Sequence, residues 1–150
     1  MKFEKKHLAA GIAAACSYMG ASHAAGTQVI TVSATVASTC KVQSGVNSIA
    51  LAVDPSLTTV VSNTGTVLYR CSNGLTPTIT LTSANTGVLR GPSPATTESF
   101  AYASSNSAPV AGAGFGTDRT LTVTVAVTQS AAAAVSAGTY TDSLTVSINP

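Results

Sequence analysis

The chain is poor in the residues that most chemistry needs. It has no tryptophan, only 8% charged and 5% aromatic residues, and two histidines, two methionines and three cysteines in 150 positions. The scarcity deepens once an export leader is recognised. Lys2, Lys5 and Lys6 form a positive start, Leu8 to Ala15 an apolar stretch, and Ser22-His23-Ala24 a small-residue cleavage site, which assigns residues 1–24 to a signal peptide cut after Ala24. Cys16 behind three alanines also evokes an acylated lipoprotein start, but the leucine-like residue expected ahead of such a cysteine is missing. Both histidines, both methionines and Cys16 lie in this leader. A Ser-His-Asp or Cys-His nucleophile therefore cannot be assembled from the mature chain.

The remaining charges exclude further classes. Lys41, Arg70, Arg90 and Arg119 are matched by Asp54, Glu98, Asp118 and Asp142, so the mature formal charges cancel and no basic patch for nucleic acid remains. The four carboxylates are scattered, without the spacing of a glycosidase pair, and read as solvated loop and strand-end charges. No cofactor motif stands out. Ala111 to Asp118, AGAGFGTD, has alternate glycines but neither a phosphate-loop lysine nor a following helix, and reads as a flexible surface loop. The leader's apolar run is too short to span a bilayer, and no later segment looks transmembrane.

Two cysteines are left, Cys40 and Cys71. Export to an oxidising compartment favours a disulfide between them, with two free structural thiols as the alternative. A metal is disfavoured, because two sulfurs without histidine do not complete a tetrahedral site. Closing a loop of about 30 residues would contribute roughly 3 to 4 kcal/mol in the chain-entropy model, a large help to a core with so few aromatics.

What the chain does have is alternation. Gln28 to Val36, QVITVSATV, places Ile30, Val32, Ala34 and Val36 on one face of an extended strand and Val29, Thr31, Ser33 and Thr35 on the other. Further strands are expected at Ser48–Val53, Thr66–Cys71, Thr78–Thr82, Arg119–Thr128 and Thr141–Asn149, with Val67, Tyr69 and Cys71 turned inward and Lys41 and Arg70 outward. Phe100 and Tyr102 suggest a short strand between loops at Asn85–Pro94 and Ser104–Gly116, and Ala131–Ala134 is expected to be a loop between the last two strands. Tyr69 and Tyr140 are expected in the core or at its rim. Short β-branched strands separated by Gly, Pro, Ser and Asn argue for an all-β antiparallel sandwich in one domain.

The order VSATV, Cys40-Lys41-Val42, YRCSNG around Cys71, RTLTVTVAV and the closing AGTYTDSLTVSINP resembles the spore coat protein U domain and the archaic chaperone-usher pilins related to it. The aromatics and Trp-Gly pair common in the middle of that family are absent. The resemblance implies an incomplete immunoglobulin-like antiparallel sandwich, residues 39–150, that lacks its last strand, preceded at residues 25–38 by a donor-strand segment. It also implies partners: a periplasmic chaperone that lends a strand, an outer-membrane usher, and identical or related pilin subunits joined head to tail. Ile30, Val32, Ala34 and Val36 would then enter a neighbour's acceptor groove beside Leu144, Val146 and Ile148, in a fimbria at the cell surface. A monomeric, self-complemented secreted binding or coat domain is the alternative, in which residues 28–36 pair at home.

Overall fold

The computed structural model describes residues 26–91 and 98–150, so the signal peptide expected at residues 1–24, with Cys16, lies outside the described residues. Residues 26–34 belong to one unit and carry no strand, and residues 35–150 form the β unit. Its strands are β1 (Cys40–Gly45), β2 (Val60–Cys71), β3 (Thr78–Ser83), β4 (Val88–Arg90), β5 (Ser99–Ala101), β6 (Ala103–Asn106), β7 (Arg119–Thr128) and β8 (Leu144–Asn149). All pairings are antiparallel. One sheet has the order β1-β2-β7-β6; β3 pairs β8, and β4 pairs β5. This is the all-β arrangement expected of an immunoglobulin-like sandwich.

The alternation of β7 drives the packing. Leu121, Val123, Val125 and Val127 are buried while the threonines between them are not, which is the period-two signature of a strand with one face on a core. In register with them across β2 stand Val67, Gly65, Asn63 and Val61. Val67, Tyr69, Cys71, Leu121 and Val123 form one buried cluster, closed from the other side by Ile79 and Leu81 of β3 and Leu144, Val146 and Ile148 of β8. A second cluster gathers around Phe100, Val127 and Ala132, where the Phe100 and Tyr140 ring centroids are 5.1 Å apart. Tyr69 is fully buried, and its hydroxyl donates to the Val110 carbonyl (2.8 Å) and accepts from the Val110 N–H (2.9 Å), so its one polar atom is satisfied. Cys40 lies directly opposite Cys71 and is bonded to it.

Several expectations are corrected. Ser48–Val53 forms no strand. The register of β1 against β2 shifts between Val42 and Ser44, and after Val46 N–H donates to Thr66 O (3.1 Å) the chain leaves that ladder. It then crosses the inner face of β2 over Gly65, where a Cβ would stand 2.3 Å from Val46 Cγ2. Ile49 joins the first cluster, and Leu51 and Val53 the second, but no neighbouring strand pairs with this backbone among the described residues. Conversely, the polar stretch Val60–Gly65 is strand, because β7 offers partners along its whole length. The expected loop Asn85–Pro94 contains β4, the expected loop Ser104–Gly116 begins inside β6, and Gln129–Ala132 is a 3₁₀ turn with Gln129 and Ala132 buried. Tyr102 falls between β5 and β6, and Thr141 makes only an isolated bridge to Arg90 ahead of β8.

The glycine-rich stretch from Ala111 to Asp118 is a loop, but a pinned one. Gly112 is buried, with its missing Cβ 2.5 Å from the carbonyl oxygens of both Cys71 and Ser72, so only glycine fits that approach. Gly114 N–H donates to Cys71 O, and Arg70 holds the loop through Phe115 O (2.8 Å) and Asp118 Oδ1 (2.6 Å). Asp118 thus pairs with Arg70, 48 residues away, and Arg119 turns instead to the Ala111 carbonyl.

Candidate functional site: a groove beside the last strand

Strand β8 is paired along one edge only. Its residues 144–149 run against 83–78 of β3, and no other strand pairs with it among the described residues. Its inward residues Leu144 and Val146 help line an open cavity of about 330 Å³. Its aliphatic lining comes from Val67 of β2, Val123 and Val125 of β7, Leu144 and Val146 of β8, and Val46 and Ile49 from the stretch after β1. Asn47 and Ser48 add polar atoms, and Leu89, Tyr102, Asp142 and Ser143 contribute the remaining lining. The sandwich core is therefore reached by an open slot with a largely aliphatic lining.

Of the three acceptor residues expected from the sequence, Leu144 and Val146 line this slot. Ile148 does not; it stands opposite Ile79 and packs on the first core cluster. Residues 26–39 carry no strand, and Ile30, Val32 and Val36 are 79%, 89% and 88% exposed, with Ala34 exposed as well. Soluble domains seldom leave a row of β-branched side chains in water without a use for them.

Asp142 is the polar centre of the site and was not singled out by its surroundings in the sequence. Its carboxylate accepts from Ser83 Oγ (2.5 Å), Tyr102 Oη (2.6 Å) and the Asn85 N–H (3.0 Å), joining the end of β3, the β5–β6 junction and the approach to β8. Burial acts to raise its pKa, but the donors, Ser83 and Tyr102 foremost, outweigh burial and hold the carboxyl below the ordinary aspartate value. Tyr102 is pushed up, by burial first and then by donating to Asp142. A signal for Asp142 did exist: threonine, tyrosine and aspartate cluster just before an alternating strand. It could not be interpreted without knowing that residues 83, 85 and 102 arrive at the same place.

A carboxyl depressed in the fold stabilises it fully above the unfolded value of about 4, and that contribution disappears as pH falls through the lower folded value. Asp142→Ala leaves three donors without their acceptor and is expected to cost about 1 to 3 kcal/mol at neutral pH. Urea titrations at neutral and strongly acidic pH check this, since the gap between wild type and variant should shrink on the acid side. An equal gap at both would show that the carboxylate charge is not what the cluster uses.

The other carboxylates are engaged separately. Glu98 accepts from Tyr140 Oη (2.7 Å) and from Ser136, which lowers its pKa, with the tyrosine hydroxyl as the largest cause. Asp54 is lowered by the side chain and backbone N–H of Ser56. No two of the four face each other in a shared hydrogen-bond cluster, and among the described residues no helix is long and apolar enough to cross a membrane.

No curated protein matches the chain. A family model does: the Spore Coat Protein U domain matches residues 26–91, which takes in the exposed N-terminal segment, both cysteines and strands β1 to β4, and leaves the closing block before β8 outside. Over that span the chain is similar to the Spore Coat Protein U domain family, which includes archaic chaperone-usher pilus subunits.

Proposed function

We propose that this chain is a structural subunit of a chaperone-usher pilus, polymerised by donor-strand complementation and serving surface adhesion and biofilm formation. The observation that carries this reading is a complementary pair within one chain. An exposed segment alternates Ile30, Val32, Ala34 and Val36, and a largely aliphatic slot is lined by Leu144 and Val146 of β8, a strand paired only with β3 among the described residues. Inserting the segment of one subunit into the slot of the next would bury those side chains on Val67, Val123 and Val125 while its backbone hydrogen-bonds to β8. Burial of each Ile or Val contributes roughly 1.5 to 3 kcal/mol, and Ala34 less.

The strand-like but unpaired segment Ser48–Val53 fits the same picture. Its first residues, Ser48 and Ile49, line the slot, so a donated strand would offer their backbone a strand neighbour. Until then the open core is an aggregation hazard, which is the physical need that a periplasmic chaperone and an outer-membrane usher would meet. Identical subunits joined head to tail do not close, and grow as a filament. The family is one of structural, exported coat and pilus proteins, not of enzymes. A self-complemented monomer would use residues 28–36 as an internal strand, and these residues are not strand here.

Material sheared from cells and run on a denaturing gel without boiling tests the proposal. A ladder of multimers that collapses to one band on boiling is the expected result. A monomer band alone in the unboiled lane sinks the fibre reading.

A further inference from the structure

The stretch between the alternating segment and β1 is anchored on Ser72. Thr39 N–H donates to Ser72 Oγ (3.1 Å), and Ser72 N–H donates back to Thr39 O (2.9 Å). The Ser72 hydroxyl in turn donates towards Ala37 O (3.3 Å) and Thr39 O (3.4 Å). Ser72 directly follows Cys71, whose sulfur is bonded to Cys40. Residues 37–40 are thus held by a hydroxyl, a backbone hydrogen bond and a disulfide. Val36, the last apolar residue of the alternating segment, is 88% exposed one position before the anchored stretch begins.

We infer that Ser72 is a positioning residue at the junction between successive copies of this chain: it anchors the base of the donated strand, so that the subunit holding the strand is coupled to this pole without slack. The inference rests on the donor-strand reading above. A flexible linker lets two domains reorient because each free residue adds reach and backbone freedom. Here no free residue separates a donated Val36 from an anchored Ala37. Bending or twisting of one domain must then pass directly into the next through two neighbouring peptide units, which makes the junction stiff. The serine does this through the backbone it holds, and it needs no contact with the neighbouring subunit.

Fibres of the full chain, imaged by electron microscopy for persistence length and run in parallel on the unboiled gel, test the inference. Ser72→Ala should keep the heat-labile ladder while the persistence length falls about twofold or more, as expected when a stiff connection becomes a flexible one. Ser72→Thr, which keeps the hydroxyl, should restore wild-type stiffness. A Gly-Ser insertion between Val36 and Ala37 leaves the anchor untouched, adds about 7 Å of reach and should soften the fibre too, which keeps the test decisive if Ser72→Ala fails to fold. Wild-type stiffness in the insertion fibres, or in a folded Ser72→Ala chain, overturns the inference while the ladder leaves polymerisation standing. Absence of a ladder from the wild-type chain removes the donor-strand reading, and the inference with it.

Discussion

A Val32→Asp chain is expected to fold, form its disulfide and fail to polymerise. Val32 is 89% exposed, so in the isolated subunit the substitution exchanges one solvated side chain for another. In a neighbour's slot it would face Val67, Val123 and Val125, and the carboxylate would have to shed its water with no cation in the lining. The lost burial of a valine, roughly 1.5 to 3 kcal/mol, adds to a desolvation penalty of several kcal/mol, so complementation should weaken by about three orders of magnitude or more. The unboiled gel reads the loss, and a urea melt of the monomer reads the intact fold. Val29→Asp is the matched control. Val29 is equally exposed but lies on the opposite face of the alternation, so its substitution should leave the ladder in place. Equal loss from both substitutions would mean that face does not matter and that the segment does not insert as a strand.

Replacing both Cys40 and Cys71 by serine should produce the largest stability loss. The bond joins directly opposed residues of β1 and β2 across a sequence separation of 31, and Cys71 is fully buried in the first cluster. Chain-entropy reasoning assigns such a loop roughly 3 to 4 kcal/mol, a large part of the 5 to 15 kcal/mol that holds a typical domain together. The consequence is local as well as global. β1 is an edge strand with exposed side chains after Cys40, so without the bond it keeps only its ladder to β2, and the base of the N-terminal segment loosens with it. Denaturant midpoints of the oxidised wild type and the double variant measure the effect. A difference below about 1 kcal/mol would place the stabilisation elsewhere.

Strands whose sequence alternates cleanly were legible. β7 has the expected bounds, β3 extends the expected strand by one residue, and the inward set Val67, Tyr69 and Cys71 is buried as the period-two pattern requires. β1, CKVQSG, carries almost no alternation; it is a strand because β2 and the disulfide hold it in register. β6, ASSN, is likewise made by its neighbour β7. Ser48–Val53 errs in the opposite direction: its residues favour a strand, but backbone hydrogen bonds need a second chain segment, and the local sequence cannot supply one. At the site, the alternation of the last strand puts Leu144 and Val146 on one face, and both line the slot. The rest of the lining and the role of Asp142 were not legible, because both depend on contacts between residues some 20 to 80 positions apart in the chain.

By itself, then, the amino-acid sequence determined the inventory and the periodicity: an all-β chain, two cysteines fit to pair, histidines only at positions 7 and 23, and an N-terminal segment with one apolar face. Periodicity is local, and a strand's two faces can be read from a few neighbouring residues. The tertiary structure decided which edges find partners. Among the described residues it gave β8 only β3 as a strand partner and Ser48–Val53 none, opened a slot lined by Val67, Val123 and Val125, and tied Ala37 and Thr39 to Ser72. Pairing is a property of two segments and the geometry between them, so the edge that remains open can be identified only once the chain has folded.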